Sequence, residues 1–98
     1  MKFNPPAPAK KARLEIIPLI DQYRPNAILL SAGFDAHIRD PLGGMRVTEH
    51  AYGEITRRVV EAAERHTGGR VLSLLEGGYD MEALAASSAE HVLALKAE

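Results

Sequence analysis

Two short, mostly apolar runs limit most strongly how this chain of 98 residues can fold. They occupy residues 27–31 and 71–75, and a loop that contains glycine follows each of them. Nearly continuous apolar runs of this length are typical of parallel strands that are covered on both faces. Because a helical pattern separates the two runs, we expect neighbouring parallel strands joined by a right-handed crossover. The sequence therefore predicts an α/β fold.

The chain before the first strand divides into a proline-rich and basic leader, residues 1–13, and a short apolar helix. Residues 4–9 of the leader are expected to be extended. The helix covers residues 14–20, starts or bends at Pro18, and stops at Arg24 and the proline that follows it. We take residues 14–98 as one domain, because a chain of this length is too short for two.

Two longer helices are predicted after the strands, and both have recognisable ends. Thr48 is a suitable N-cap for a helix from residue 49 to about residue 66, and Gly68 is suited to end it. Asp80 can cap a last helix over residues 81–96. The residues expected on the buried sides are Tyr52, Ile55, Val59, Val60 and Ala63 in the first helix, and Leu84, Ala85, Ser88, His91, Val92 and Leu95 in the second.

Two strands are few for a sheet that requires cover on both faces and a partner at each edge. We therefore expect the sheet to be incomplete in this chain.

The composition also excludes several classes of function. The formal net charge is −1, so no strong positive field favours a nucleic acid or an anionic membrane surface. Patterns of a signal peptide or a membrane span are lacking, and we predict a cytoplasmic protein.

The loop after the first predicted strand carries Asp35, His37 and Asp40. One interpretation is an ordinary turn, in which the carboxylates cap backbone amides. The other is a metal or catalytic site, because open α/β sheets place their chemistry at the carboxyl ends of the strands. Since the chain has no cysteine, Asp35 is the candidate ligand, and His37 could pair with it or face solvent. The other histidines are expected at the surface or at helix ends: His50, His66 and His91.

The loop after the second predicted strand, EGGYD, carries Tyr79. Gly77 and Gly78 allow a close backbone approach, and the phenol could donate a hydrogen bond to an oxyanion, although a tyrosine beside a glycine turn is also common packing. Neither the phosphate-binding glycine patterns nor the G-x-S-x-G of serine hydrolases occurs. Because both loops open at the same edge of a parallel sheet, we expect Asp35 and Tyr79 to lie near each other.

The segments SAGFDAHIRDPLGGMRVTEHAYGEIT and RVLSLLEGGYD together resemble the C-terminal part of the catalytic domain of the histone deacetylase superfamily. They look most like the bacterial class II-type histone deacetylase-like amidohydrolases. The resemblance covers residues 24–98 in the order and spacing of the family. It implies part of an arginase/deacetylase-like α/β fold and a zinc-dependent amidohydrolase that removes acetyl groups from acetyl-lysine or acetylated polyamines.

The resemblance also implies roles for five residues. Asp35 corresponds to a zinc-ligating aspartate, and Tyr79 to the catalytic tyrosine that hydrogen-bonds the carbonyl and its oxyanion. Leu42 corresponds to a wall position of the acyl-lysine tunnel, and Gly77 and Gly78 to the loop that presents the tyrosine. We expect the oxyanion donor to contribute roughly 3–4 kcal/mol to catalysis.

The chain departs from the family pattern in its missing motifs. The family also has an Asp-x-His motif with two further zinc ligands and a His-His pair that acts as general base and acid. No His-His occurs here, and Asp35-Ala36-His37 already corresponds to the other ligand motif. His37 falls on a variable position of the family and receives no role. One carboxylate does not hold catalytic zinc with useful affinity, so the isolated chain is not expected to be an enzyme.

Two hypotheses for the function follow. In the first, the chain is a C-terminal fragment of a zinc-dependent deacetylase and acts on acetylated lysine or a small acetylated amine only within the complete domain. In the second, it is a non-catalytic module of that fold, which forms homo-oligomers through uncovered strand edges and an apolar face. Neither hypothesis gives it a nucleic acid or a membrane as a partner.

Overall fold

The computed structural model describes residues 10–96, in which helices alternate with two strands. A π-helical segment leads into a first helix α1, and the elements then follow in the order β1, α2, β2 and α3. Their bounds are Ala12–Ile16 for the π-helical segment, Ile17–Tyr23 for α1, Ile28–Ala32 for β1, Glu49–Thr67 for α2, Val71–Leu75 for β2 and Met81–Leu95 for α3. The two strands pair in parallel, with Ile28 opposite Val71 and Ala32 opposite Leu75. The predicted α/β fold with a helical crossover is therefore confirmed.

The predicted ends of the two long helices are confirmed by their capping contacts. The Thr48 hydroxyl accepts a hydrogen bond from the Ala51 N–H at 3.2 Å, and the Asp80 carboxylate accepts one from the Ala83 N–H at 2.9 Å. Gly68 ends α2 in the left-handed conformation, with φ of 70°. These three contacts follow from residue type alone, because each cap satisfies backbone groups that the helix leaves free.

The first helical region starts earlier than predicted. Helical structure is already present at Lys10 and Lys11, and Pro18 is the second residue of α1, directly after the π-helical segment. Arg24 ends α1, as predicted, and it does so in the left-handed conformation, with φ of 58°. The expectation that residues 4–9 are extended falls outside the described residues.

The helices cover one face of the sheet, whereas the sequence predicted cover on both. Side chains of Leu30 and Ser73 face the helices, and α2 and α3 pack against each other on that side. Leu29, on the opposite face, is 73% exposed, and Leu72 and Leu74 beside it are also exposed. The described residues contain no element that covers these leucines, so the sheet is incomplete, as expected. We call Leu29, Leu72 and Leu74 the open leucine face.

The buried side of α3 differs from the prediction. Its buried residues are Ala83, Ser87, His91 and Ala94. Of the predicted set only His91 is fully buried, while Ala85 and Val92 are exposed. The reason is that α3 packs closely on α2, where Gly53 leaves room for Glu90: a β-carbon at Gly53 would lie 3.3 Å from that of Glu90. Small residues therefore line the contact, and larger apolar residues of α3 turn outward.

The buried side of α2 is only partly as predicted. Val59 and Ala63 are buried, whereas Tyr52, Ile55 and Val60 are half-buried. Residues outside the predicted stripe are also buried: Gly53, Thr56, Ala62 and Thr67. The shift has the same cause as in α3, because the closest helix contact is made by small side chains.

His91 links three elements inside the core. It lies on the predicted buried side of α3, and its other assignment, to the surface or a helix end, is wrong. The Thr56 hydroxyl donates to the Tyr52 carbonyl at 2.7 Å, so its oxygen accepts from the His91 Nδ1–H at 2.8 Å. Burial lowers the pKa of His91, which favours the neutral imidazole. Nε2 then accepts a hydrogen bond from the Ser73 hydroxyl at 2.7 Å. The neutral imidazole joins α2, β2 and α3.

A buried neutral histidine makes stability depend on pH. Because the pKa of His91 is lower in the folded chain than its ordinary value of about 6.5, the unfolded chain binds the proton first. Stability is then complete above about pH 7.5 and falls as the pH drops through 6.5, by at most about 1.4 kcal/mol per pH unit. Urea unfolding between pH 7.5 and 5.5 measures this slope.

The control for this prediction is a second histidine variant. His91→Gln should flatten the slope, while His50→Gln, at an exposed position, should leave it unchanged. Equal slopes in the unaltered chain and in His91→Gln would show that another group causes the acid sensitivity.

Candidate active site

The loops that follow β1 and β2 lie side by side at the carboxyl edge of the sheet. The Glu76 N–H donates to the Ala32 carbonyl at 2.9 Å, and the Phe34 N–H donates to the Gly77 carbonyl at 2.8 Å. These two bonds continue the parallel ladder past the ends of both strands. They therefore bring residues 33–35 next to residues 76–79.

Asp35 and Tyr79 meet around Gly77, as predicted from the topology. A β-carbon at Gly77 would lie 3.1 Å from Asp35 Oδ2 and 3.4 Å from the Tyr79 hydroxyl oxygen. The two oxygens are therefore no further apart than the sum of these distances. A side chain at position 77 would occupy the space between the carboxylate and the phenol, so glycine keeps this space open.

Gly78 is also required to be glycine. Its φ is 141°, a conformation that other residues rarely adopt, and a β-carbon there would lie 2.9 Å from Leu84 Cδ1 and 3.3 Å from Phe34 Cβ. The positive φ and the missing β-carbon of Gly78 let the backbone pass close to Phe34 and Leu84 just before Tyr79. Both glycines thus affect the position of Tyr79. Gly77 leaves space beside its hydroxyl, and Gly78 adopts the backbone conformation that precedes it.

Phe34 anchors the loop that carries Asp35. Its ring is buried and packs edge-on against Tyr52, with ring centroids 4.9 Å apart, and against His91 at 5.6 Å. Such edge-to-face pairs add to the free energy gained from burial. The residue after Phe34 is therefore held at the mouth of the loop while its own side chain stays half-buried.

Asp40 is buried and binds both loops through its carboxylate. Oδ1 accepts from the Leu42 N–H at 2.8 Å and the Gly43 N–H at 3.1 Å, while Oδ2 accepts from the Tyr79 N–H at 2.8 Å. Burial acts to raise the pKa of Asp40, but these three N–H groups outweigh it and hold the pKa below its ordinary value. Asp40 is thus an ionised structural group, which is the turn interpretation of this residue.

His37 neither faces solvent nor pairs with Asp35. Its side chain is 1% exposed, and Nδ1 accepts from the Arg39 N–H at 3.1 Å. Nε2 then carries the proton and donates to Glu49 at 2.7 Å, a bond that lowers the pKa of the Glu49 carboxyl. His37 therefore ties the long loop to the first turn of α2.

Tyr52 lies beneath the same loop and was predicted only as a buried residue. Burial, together with the negative charges of Asp35 and Asp40, raises the pKa of Tyr52 to about 12, although the backbone at Ala36 acts in the opposite direction. The phenol is therefore neutral at physiological pH. No spacing or motif in the sequence distinguishes it from an ordinary core tyrosine.

The candidate site is open on its outer side. Tyr79 is 56% exposed and Leu42 is 72% exposed, so among the described residues neither is enclosed in a tunnel. A cavity of about 190 Å³ lies behind Phe34, between β1 and α2, and its lining includes Tyr52 and His91 but neither Asp35 nor Tyr79. The candidate site is therefore separate from this cavity.

Within residues 10–96, no three His, Asp or Glu side chains converge on a point where a metal ion could bind. Asp35 offers a single carboxylate, whereas a catalytic zinc site takes three protein ligands. The described part of the chain therefore does not fit a zinc ion without ligands from elsewhere.

Within residues 10–96, no helix is both long and apolar enough to cross a membrane.

Comparisons with known proteins agree with this arrangement. The family model of the histone deacetylase domain matches residues 9–95. "Type-2 histone deacetylase 1" of Dictyostelium discoideum is 44% identical over 85 residues, which are 87% of this chain and 6% of that protein. "Histone deacetylase-like amidohydrolase" of Pseudomonas aeruginosa is 41% identical over 64 residues, which are 65% of this chain and 17% of that protein.

A solved structure agrees as well. The crystal structure of the HDA15 HD domain superimposes with a TM-score of 0.76 at 32% sequence identity, over 85% of this chain and 22% of the solved chain. The chain thus spans a small part of the proteins that it matches. Since the family model covers nearly the whole sequence and the fold agrees, the chain belongs to the histone deacetylase family.

Proposed function

We propose that this chain supplies Asp35 as a zinc ligand and Tyr79 as an oxyanion donor to a deacetylase that hydrolyses acetyl-lysine or a small acetylated amine. One observation carries the proposal: the Asp35 carboxylate and the Tyr79 hydroxyl flank the space above Gly77. A ligand and a donor at this separation can act on the same carbonyl group. Membership of the histone deacetylase family supports the reaction class.

The residues of the chain have distinct parts in this proposal. Zinc, when bound, polarises the amide carbonyl and lowers the pKa of bound water. Asp35 holds its carboxylate toward the metal position, and the Tyr79 hydroxyl donates a hydrogen bond to the oxygen on which negative charge develops. Leu42, exposed on the same loop, contacts the apolar stem of the acylated side chain.

In this proposal the remaining zinc ligands and the general base come from another segment of the deacetylase domain, the one that carries the Asp-x-His motif and the His-His pair. The isolated chain is therefore proposed to be inactive, and its activity requires association with that segment. Zinc binding, the substrate and a cytoplasmic location stay predictions.

A complementation experiment tests the proposed function. The full chain is co-expressed with the P. aeruginosa amidohydrolase from which the segment matching this chain has been deleted. We call the product the reconstituted complex, and we expect zinc-dependent release of acetate from an acetyl-lysine peptide or from an acetylated polyamine. A chimera in which residues 24–95 replace the matching segment makes the same test without requiring association. A folded chimera that binds zinc and hydrolyses no acetylated amine would contradict the proposal.

The open leucine face favours a second candidate function. Three exposed leucines on one sheet face form an apolar patch of the kind that mediates association, and within residues 10–96 each strand has one edge without a pairing strand. In this alternative the chain is a non-catalytic module that forms homo-oligomers. A stable oligomer of the isolated chain that Leu72→Lys dissociates, together with an inactive chimera, would favour it.

A further inference from the structure

We propose that Asp40 is a positioning residue for Tyr79, which it holds through the backbone rather than through the side chain. The inference rests on the proposed function and goes beyond it, because no role in the reaction was assigned to Asp40. Asp40 Oδ2 accepts from the Tyr79 N–H at 2.8 Å across 39 residues of sequence. Its other oxygen is bound to its own loop, so the carboxylate joins the two loops that carry the candidate site.

Tyr79 needs such an anchor because its side chain has little support of its own. The ring is 56% exposed, and the preceding Gly78 has φ of 141°, a conformation open chiefly to glycine. An exposed ring after a flexible residue has many accessible orientations. A hydrogen bond from the Tyr79 N–H to a buried carboxylate removes much of this freedom at the backbone.

The anchor is itself rigidly held. Asp40 is 7% exposed, and the Leu42 and Gly43 N–H groups orient its carboxylate from within the turn. Gly43 in turn packs so closely on the Asp35 carbonyl that a β-carbon at position 43 would overlap it. The turn that orients Asp40 is therefore in direct contact with the backbone of Asp35, and one turn sets the positions of both candidate functional residues.

Asn at position 40 separates the two functions of the carboxylate. An amide has one oxygen, which can still accept from the Leu42 and Gly43 N–H groups, because Asn forms such turns well. Its NH2 group then faces the Tyr79 N–H, and two donors cannot bond. Asp40→Asn should therefore keep the turn and lose the anchor to Tyr79.

The first measurement uses the full chain and does not depend on activity. NMR should show a through-hydrogen-bond correlation between the Tyr79 amide nitrogen and the Asp40 side-chain carboxyl carbon in the unaltered chain. In Asp40→Asn the correlation is lost, and exchange of the Tyr79 amide hydrogen accelerates about tenfold or more relative to the core strands. Asp21→Asn is the matched control, since Asp21 also accepts three hydrogen bonds, from Arg65 and His66, away from the site.

The second measurement is kinetic and uses the reconstituted complex and the chimera. Asp40→Asn should lower kcat about 10- to 100-fold with little change in KM, as expected for a misplaced catalytic group. In a Tyr79→Phe background the same substitution should cause almost no further loss, whereas a general structural defect would lower activity in both backgrounds.

The outcomes distinguish this inference from the proposed function. Absence of the Tyr79 to Asp40 correlation in the unaltered chain would overturn the inference, whatever the activity. A full further loss from Asp40→Asn in the Tyr79→Phe background would overturn it as well. If the correlation is present and Tyr79→Phe leaves the activity unchanged, the proposed role of Tyr79 fails, and with it the catalytic part of the inference.

Discussion

Asp35→Asn in the reconstituted complex is expected to abolish zinc-dependent hydrolysis and to lower zinc affinity severely. Removing only the hydrogen-bond partner of a metal ligand costs about 10–100-fold in affinity or activity, and loss of a ligand itself should exceed this. The amide of asparagine keeps the volume of the side chain but removes the negative charge that binds zinc. Zinc content, measured after dialysis against a weak chelator, checks the effect independently of turnover.

The control for Asp35 is another acidic residue. Glu61 is exposed on α2, so Glu61→Gln removes a negative charge away from the loops and should leave zinc content and turnover unchanged. Asp35→Asn with full zinc content and full activity would show that Asp35 is an ordinary loop carboxylate.

Tyr79→Phe is expected to lower kcat about 10²–10³-fold, with little effect on KM or on zinc content. Loss of one preorganised oxyanion donor costs a reaction roughly this factor. Because the hydroxyl acts mainly on charge that develops in the transition state, substrate binding is largely spared. Steady-state kinetics with an acetyl-lysine peptide measures both constants.

A second tyrosine provides the matched control for Tyr79. Tyr23 ends α1 with its ring exposed, so Tyr23→Phe removes the same hydroxyl group away from the candidate site. We expect kcat to be unchanged in that variant. A rise in KM with kcat unchanged in Tyr79→Phe would indicate that the hydroxyl binds the substrate as strongly as the transition state instead.

Much of the fold is predictable from the sequence because its signals are local. The caps at Thr48 and Asp80 and the glycine at position 68 each act on backbone groups within a few residues. The parallel pairing of β1 and β2 follows from the crossover helix between them. The meeting of Asp35 and Tyr79 follows in turn, since both loops must leave the same edge of the sheet.

The face that a helix buries is harder to predict when apolar residues lie all around it. Helix α3 has apolar side chains on most sides, so the sequence favoured the larger ones, such as Leu84 and Val92, as its buried side. The structure instead buries Ala83 and Ser87, because α2 presents small residues that allow a close approach. Which face of α3 is buried depends on the side chains of α2, and the sequence of α3 alone does not contain this information.

The candidate site was also only partly predictable. The short turn around Asp40 follows from an Asp before proline with glycine three residues after the Asp, which is a common turn pattern. The hydrogen bond from the Tyr79 N–H to the Asp40 carboxylate has no local sequence signal, because it depends on how two loops distant in sequence lie against each other. The hydrogen-bond partners of His37 and His91 were missed for the same reason: Glu49, Thr56 and Ser73 are distant from them in sequence.

The central claim is that the two loops deliver Asp35 and Tyr79 to one space above Gly77, and disulfide formation tests it most directly. The chain has no cysteine, so a pair of introduced cysteines reports a single contact. Asp35 Cγ, the position that a cysteine sulfur would take, lies 3.3 Å from a β-carbon at Gly77, so a cysteine sulfur at position 77 can reach it. Asp35→Cys with Gly77→Cys should oxidise rapidly within one chain, whereas Asp35→Cys with Arg70→Cys, at the opposite edge, should not. Equal oxidation of both pairs, or of neither, would contradict the account.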